Sequence, residues 1–203
     1  KGTSLVESLN IIESIILTLD IPGDVCEFGV AQGKTSKIIS YLIKDTKKKI
    51  YLYDSFKGLP EPTSKDTLKD DIFNLGNMQS YKGKMSHNEN KVINELKSIQ
   101  FDLNRVEINK GFFNQKNIDL FKFPNSISFA YIDFDFYQPT LDVLNEIQDK
   151  LSKDSIIIID DYDFFSTGAK TAVDEWHLNK EDIFKLTKIR TTNSSFVVIK
   201  KLK

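Results

Sequence analysis

The sequence predicts an α/β protein built on a doubly wound, mostly parallel seven-stranded sheet whose last strand is antiparallel. Two observations carry the prediction. Short apolar runs of strand length alternate with helix-length segments along the whole chain, and the first two runs are separated by a helix long enough for a right-handed parallel crossover. The last two runs, at 184–189 and 196–200, are joined instead by the turn-like Thr191, Thr192, Asn193 and Ser194, which reads as an antiparallel hairpin.

Taken in order, Ser4 and Glu7 form a capping box, and Leu5, Leu9, Ile12, Ile16 and Leu19 recur at spacings of three and four, the mark of an amphipathic helix. Pro22 and Gly23 stop it. Residues 24–29 read as a buried strand, 34–44 as a helix after Gly33, and 49–54 as the second strand. Residues 55–87 lose periodicity among Gly58, Pro60, Pro62, Gly76 and Gly83, as a mobile lid or binding loop would. Beyond it, Val92, Ile93 and Leu96 mark a helix, 105–109 a strand and 118–121 a helical turn. Strands at 127–133 and 155–160 flank a helix carrying Leu141, Leu144, Ile147 and Leu151, and a helix at 169–178 precedes the hairpin.

Composition narrows the function classes. A chain of 203 residues with 40% hydrophobic content fits one domain over 1–203, with the 55–87 lid inserted in it. Its 28 basic and 29 acidic residues leave a net charge of -1, so no bulk positive field draws it to nucleic acid or anionic lipid. The apolar runs are too short for a membrane span and there is no signal pattern, so a cytoplasmic protein is expected. The start at Lys1 and Gly2 without Met leads us to expect a processed, tagged or truncated start, with upstream sequence missing if it is truncated. Cys26, alone, reads as a buried strand cysteine.

In a doubly wound sheet ligands bind beyond the carboxyl ends of the strands, so chemistry should collect there. The first strand runs into Glu27, Phe28, Gly29 and, past a tight turn, Gly33, Lys34 and Thr35 at a helix N-terminus, a place for a nucleotide-like cofactor. A phosphate-binding P-loop of an NTPase or kinase is the rival, but it needs four residues between its first glycine and Gly-Lys-Thr, and here there are three. Asp54 ends the second strand beside that turn, placed to take the hydroxyls of a ribose. Asp133 and Asp135 follow the fourth strand, and Asp160, Asp161 and Asp163 the fifth. So many carboxylates at one edge repel one another unless a cation neutralises them, and without a cysteine cluster or histidine pair the choice is a hard divalent ion. Metal-dependent glycosyltransferases also use Asp-x-Asp, but that reading leaves the glycine turn and Asp54 less well explained. Phosphatases with Asp-x-Asp-x-Thr want threonine where Tyr137 stands.

Four stretches stand out together: Gly23 to Gly29, the string Tyr53-Asp54-Ser55-Phe56-Lys57-Gly58-Leu59-Pro60, the run Tyr131 to Tyr137, and Ile159 to Tyr162 with Ala172, Val173 and Asp174. On them the chain resembles the macrocin O-methyltransferase family, metal-dependent sugar methyltransferases of macrolide and aminocoumarin biosynthesis. The second stretch is the most specific, since sheet and cofactor physics alone do not require it. The resemblance implies a Rossmann-like, class I methyltransferase sheet, S-adenosylmethionine, and Mg2+ or Mn2+. It implies Asp133, Asp160 and Asp161 as metal ligands and Asp135 as general base. It implies a cofactor site with Glu27, Gly29 and Gly33 at the methionine end, joined by Thr35, Asp54, Ser55, Phe56 and Ser86. The substrate it implies is a sugar-bearing natural product or surface glycan, with a homodimer as an open possibility for the assembly. The chain departs from the family pattern at Phe134, where a glycine is common, and near Gly33, where glycines are often paired. A non-catalytic binding protein on the same fold would hold the cofactor without transferring its methyl. Trp176 and Phe129 read as core, and His87 and His177 lack the second ligand a zinc site needs, with His177 close enough in sequence to the fifth-strand acids to touch substrate.

Overall fold

The computed structural model describes residues 3–192 and 195–203. The seven strands are β1 (Asp24–Phe28), β2 (Ile50–Asp54), β3 (Val106–Lys110), β4 (Ile127–Ile132), β5 (Leu151–Ile159), β6 (Phe184–Arg190) and β7 (Ser195–Lys201). They form one sheet in the order β3-β2-β1-β4-β5-β7-β6, with only β7 antiparallel to its neighbours. The predicted fold class is therefore the observed one. Asn193 and Ser194 of the expected turn lie outside the described residues.

Both faces of the sheet are covered, which is why the strands read as near-continuous apolar runs. Alternate residues serve opposite layers. Val25, Phe129 and Ile158 pack with Ile11 and Ile15 of α1 (Leu5–Thr18), Ile39 of α2 (Lys34–Leu42) and Val92 of α3 (Glu89–Ser98). Cys26, Ala130 and Ile157 pack with Val143 of α4 (Tyr137–Ile147) and Trp176 of α5 (Gly168–His177). Cys26, Phe129 and Trp176 are buried, as expected.

One expectation changes at α1. The Ser4 and Glu7 capping box is present, but Leu5, Leu9 and Ile16, picked out by their spacing, are 76%, 56% and 55% exposed. The buried side of α1 is Glu7, Ile11, Ser14, Ile15 and Thr18. A helix so rich in Leu and Ile carries more than one apolar stripe, and periodicity cannot choose between them. The 55–87 segment, expected to be a mobile lid or binding loop, is largely irregular and packs against the rest of the domain. Leu59, Met78 and Tyr81 pack with Phe136 and Phe165 in a third apolar cluster. The Lys69 and Asp70 amides both donate to the Phe165 carbonyl, at 2.8 and 3.3 Å, and Leu68 bridges Ser166.

Candidate active site

β1 leads to β2 on one side and sits beside β4 on the other, so the winding reverses between β1 and β4 and leaves a crevice at their carboxyl ends. The two strand ends are very close there. The Asp133 amide donates to the Phe28 carbonyl at 2.7 Å, and a Cβ on Gly29 would stand 2.0 Å from the Asp133 carbonyl oxygen. Gly29 has φ +87°, so both space and backbone require glycine. Gly33, at φ +77°, starts α2, where a Cβ would meet the Val92 backbone at 2.9 Å.

Asp54 folds the glycine turn onto β2. Its Oδ2 accepts from the amides of Val30 and Ala31 at 2.7 and 2.8 Å, and its Oδ1 from the Phe56 amide at 2.6 Å. Two of the amides a phosphate cradle would use are thus already taken by a carboxylate, which counts against the P-loop reading. Oδ1 keeps acceptor capacity for a further donor. Ser55 bonds locally, to Gly58 and Lys57, and the Ser86 hydroxyl donates to the Phe56 carbonyl at 3.0 Å. Ser55, Phe56, Ser86, His87 and Lys110 line one open groove of about 750 Å³. None of the strand-end acids lines it. Thr35 pairs its hydroxyl with that of Thr3 at 2.9 Å. Glu27 is fully buried with neither carboxylate oxygen hydrogen-bonded, and burial raises its pKa to about 8.

Of the acids after β4 and β5, Asp133, Asp135 and Asp161 bring one carboxylate oxygen each within 4.8 Å of one another. Burial, and then the neighbouring carboxylates, push all three well above the usual range. No lysine or arginine ion pair reaches them among the described residues. Three crowded carboxylates with oxygen donors only, and no counter-charge, fit a hard divalent cation. Asp135 and Asp161 hold positive φ, +61° and +52°, in the left-handed region that aspartate tolerates at a cost.

Asp160 is set apart from this triad. The Tyr131 hydroxyl lies 3.0 Å from Asp160 Oδ2 and 2.6 Å from Oε1 of Glu7, which α1 delivers to the site. A hydroxyl has one proton to give, so satisfying both contacts requires a second proton on one of the two carboxyls. Burial and the Asp160 charge raise Glu7 to about 8, in keeping with that proton. Glu7 and Tyr131 had no assigned role in the sequence. Glu7 was already explained by the capping box, and Tyr131 read as a strand residue. His177 bonds the Phe184 carbonyl at 2.7 Å.

Sheet order and the placement of these groups define a class I methyltransferase-type α/β protein. Solved structures of that type superpose well. The O-methyltransferase NovP matches with TM-score 0.77 at 21% identity, covering 100% of this chain and 84% of its own. An O-methyltransferase from Bacillus cereus, in complex with SAH, matches with TM-score 0.65 at 11% identity, covering 100% and 83%. At the level of sequence, the profile of the macrocin-O-methyltransferase family matches residues 2–196, and the chain belongs to that family. A curated relative from Streptomyces olivaceus, 8-demethyl-8-(2,3-dimethoxy-alpha-L-rhamnosyl)-tetracenomycin-C 4'-O-methyltransferase, is 25% identical over 173 residues. That match covers 79% of this chain and 61% of the relative's length.

Proposed function

We propose that the chain is an S-adenosylmethionine-dependent O-methyltransferase that uses Mg2+ or Mn2+ and acts on a hydroxyl of a sugar-containing small molecule. The observation that carries this reading is the cluster of Asp133, Asp135 and Asp161, crowded, without a cationic partner among the described residues, and beside the glycine turn at the crevice of the sheet. Family membership supports methyl transfer, the SAH-bound structural neighbour supports the donor, and the rhamnosyl substrate named for the Streptomyces relative supports a sugar.

When bound, the cofactor supplies an electrophilic methyl group and the cation supplies charge that lowers a hydroxyl's pKa. Glu27, Gly29, Gly33 and Thr35 shape the methionine end of the cofactor site, and Asp54, Ser55, Phe56 and Ser86 the adenosine end. Asp133, Asp160 and Asp161 would hold the cation, with Tyr131 and Glu7 orienting Asp160. Asp135 takes the hydroxyl proton onto its carboxylate. Residues 55–87 exclude water from the crevice. Because Asp135 stands within the triad and Asp160 outside it, a second assignment makes Asp135 a ligand.

The test is a panel of sugar acceptors with labelled methyl donor, with Mg2+ or EDTA, beside Mn2+ affinities of variants. Turnover should vanish in EDTA, and turnover that persists there removes the cation from the reaction. Asp135→Asn should lose roughly 10²-fold or more in kcat with Mn2+ affinity intact, whereas Asp160→Asn should weaken Mn2+ binding. The reverse pattern makes Asp135 the ligand.

A further inference from the structure

Asp66 belongs to the 55–87 segment, yet it is buried, with 4% of its surface exposed. Its Oδ2 accepts from the Thr63 amide and hydroxyl at 2.7 and 2.8 Å. Its Oδ1 accepts from the Tyr137 amide at 2.7 Å. Tyr137 is the first residue of α4, and the N-cap position of that helix, Phe136, supplies no side-chain acceptor. The missing cap comes instead from 71 residues away. A carboxylate there also meets the positive end of the helix dipole.

A third element closes around the same oxygen. A Cβ on Gly168, the first residue of α5, would lie 2.0 Å from Asp66 Oδ1 and 2.6 Å from the Tyr137 nitrogen. Ser166 completes the joint, donating to the Asp135 carbonyl at 3.2 Å and accepting from the Gly168 amide at 2.9 Å. Tyr137 stands two residues beyond Asp135, whose left-handed backbone persists only where its surroundings impose it. The segment has other ties: the bridge to Ser166, the bonds to the Phe165 carbonyl, and Thr67 to Thr167. Those can hold it down without Asp66, but none offers the Tyr137 amide a partner.

We propose that Asp66 is a positioning residue, an N-cap supplied from outside the helix that makes the backbone of Asp135 depend on residues 55–87 being seated. The proposal rests on the functional reading above only for the role of Asp135. Hydrogen exchange followed by mass spectrometry, on wild type, Asp66→Ala, Asp66→Asn and Gly168→Ala, tests it without turnover. Lys82→Ala, which breaks only an exposed ion pair with Glu61, is the control within the segment. In Asp66→Ala, protection of the first turn of α4 should fall about 5- to 30-fold together with that of residues 58–70. SAH and Mn2+ affinities should hold, since Asp135 is not a ligand, and Asp66→Asn, which retains an acceptor oxygen, should recover most of the lost protection. Should the alanine variant not fold, Gly168→Ala breaks the same contact from the α5 side and should expose the same turn. Protection of that turn unchanged in either variant reduces Asp66 to a pin for the segment and overturns the proposal. Absence of Mn2+ binding in the wild type would count against the metal reading instead, leaving the exchange result to decide on Asp66.

Discussion

Glu27 shows how one side chain ties stability to pH. Unfolded, its carboxyl ionises near 4.5; folded, burial holds the proton up to about 8, with Ser36 nearby but outside hydrogen-bond geometry. Between those values the folded state binds more protons than the unfolded one, so this group's contribution to stability falls as pH rises and levels off above 8. Glu27→Gln removes that slope. Urea unfolding at pH 5.5 and 8.5 should show the variant gaining about 3 kcal/mol on wild type across the interval, and parallel behaviour would refute the assignment. Gly29 and Gly76 make a second pair at this scale. Both have strongly positive φ, but a Cβ at Gly76 meets nothing within 4 Å, whereas at Gly29 it collides with the Asp133 carbonyl. Gly76→Ala should therefore cost about 1–2 kcal/mol for the backbone alone. Gly29→Ala should exceed about 3 kcal/mol or prevent folding, as thermal melting of the two will show. The acids, the glycine turn and Asp54 were legible because each ends a strand. Glu7, Tyr131 and Asp66 were not, because their roles are made by contacts spanning 29 to 124 residues.

At the scale of elements, strands were easier to read than the helix face. Burial on both sides gives β4 and the second half of β5 apolar runs that admit little else; β4 was placed to within one residue, whereas β5 begins at Leu151, which its spacing had assigned to the preceding helix. In α1, Leu5, Leu9 and Ile16 make as good a stripe as the one that packs, and only the neighbouring α2 and sheet decide between them. The consequence is measurable. Ile15→Ala, at 1% exposure, should destabilise by about 2–5 kcal/mol. Leu9→Ala, more than half exposed, should stay within about 0.5 kcal/mol in the same chemical denaturation. Comparable losses at the two positions would mean that α1 packs the other way round. The 55–87 segment was unreadable for a related reason: Leu59, Met78 and Tyr81 have no common period, and their cluster exists only once Phe136 and Phe165 are brought to them.

The molecule as a whole concentrates negative charge at one edge of its sheet while its net charge stays near neutral. A cation that binds only the folded state should then act as a stabiliser. Mg2+ or Mn2+ at a hundredfold excess over Kd should add about 2.7 kcal/mol and raise Tm by several degrees, with EDTA reversing the effect. An equal rise in an Asp133→Asn, Asp161→Asn double variant would place the stabilising ion elsewhere. Sheet order bears on biosynthesis too. β7 lies between β5 and β6 and is made after both, so β6 has no neighbour in the sheet until β7 emerges. Until then the side of β5 that β7 will take, four consecutive isoleucines at 156–159, presents unpaired backbone to any other nascent chain. Synthesis of the final hairpin is thus the step that seals an aggregation-prone edge, and a ribosome stalled within it would hold the chain at its most adhesive.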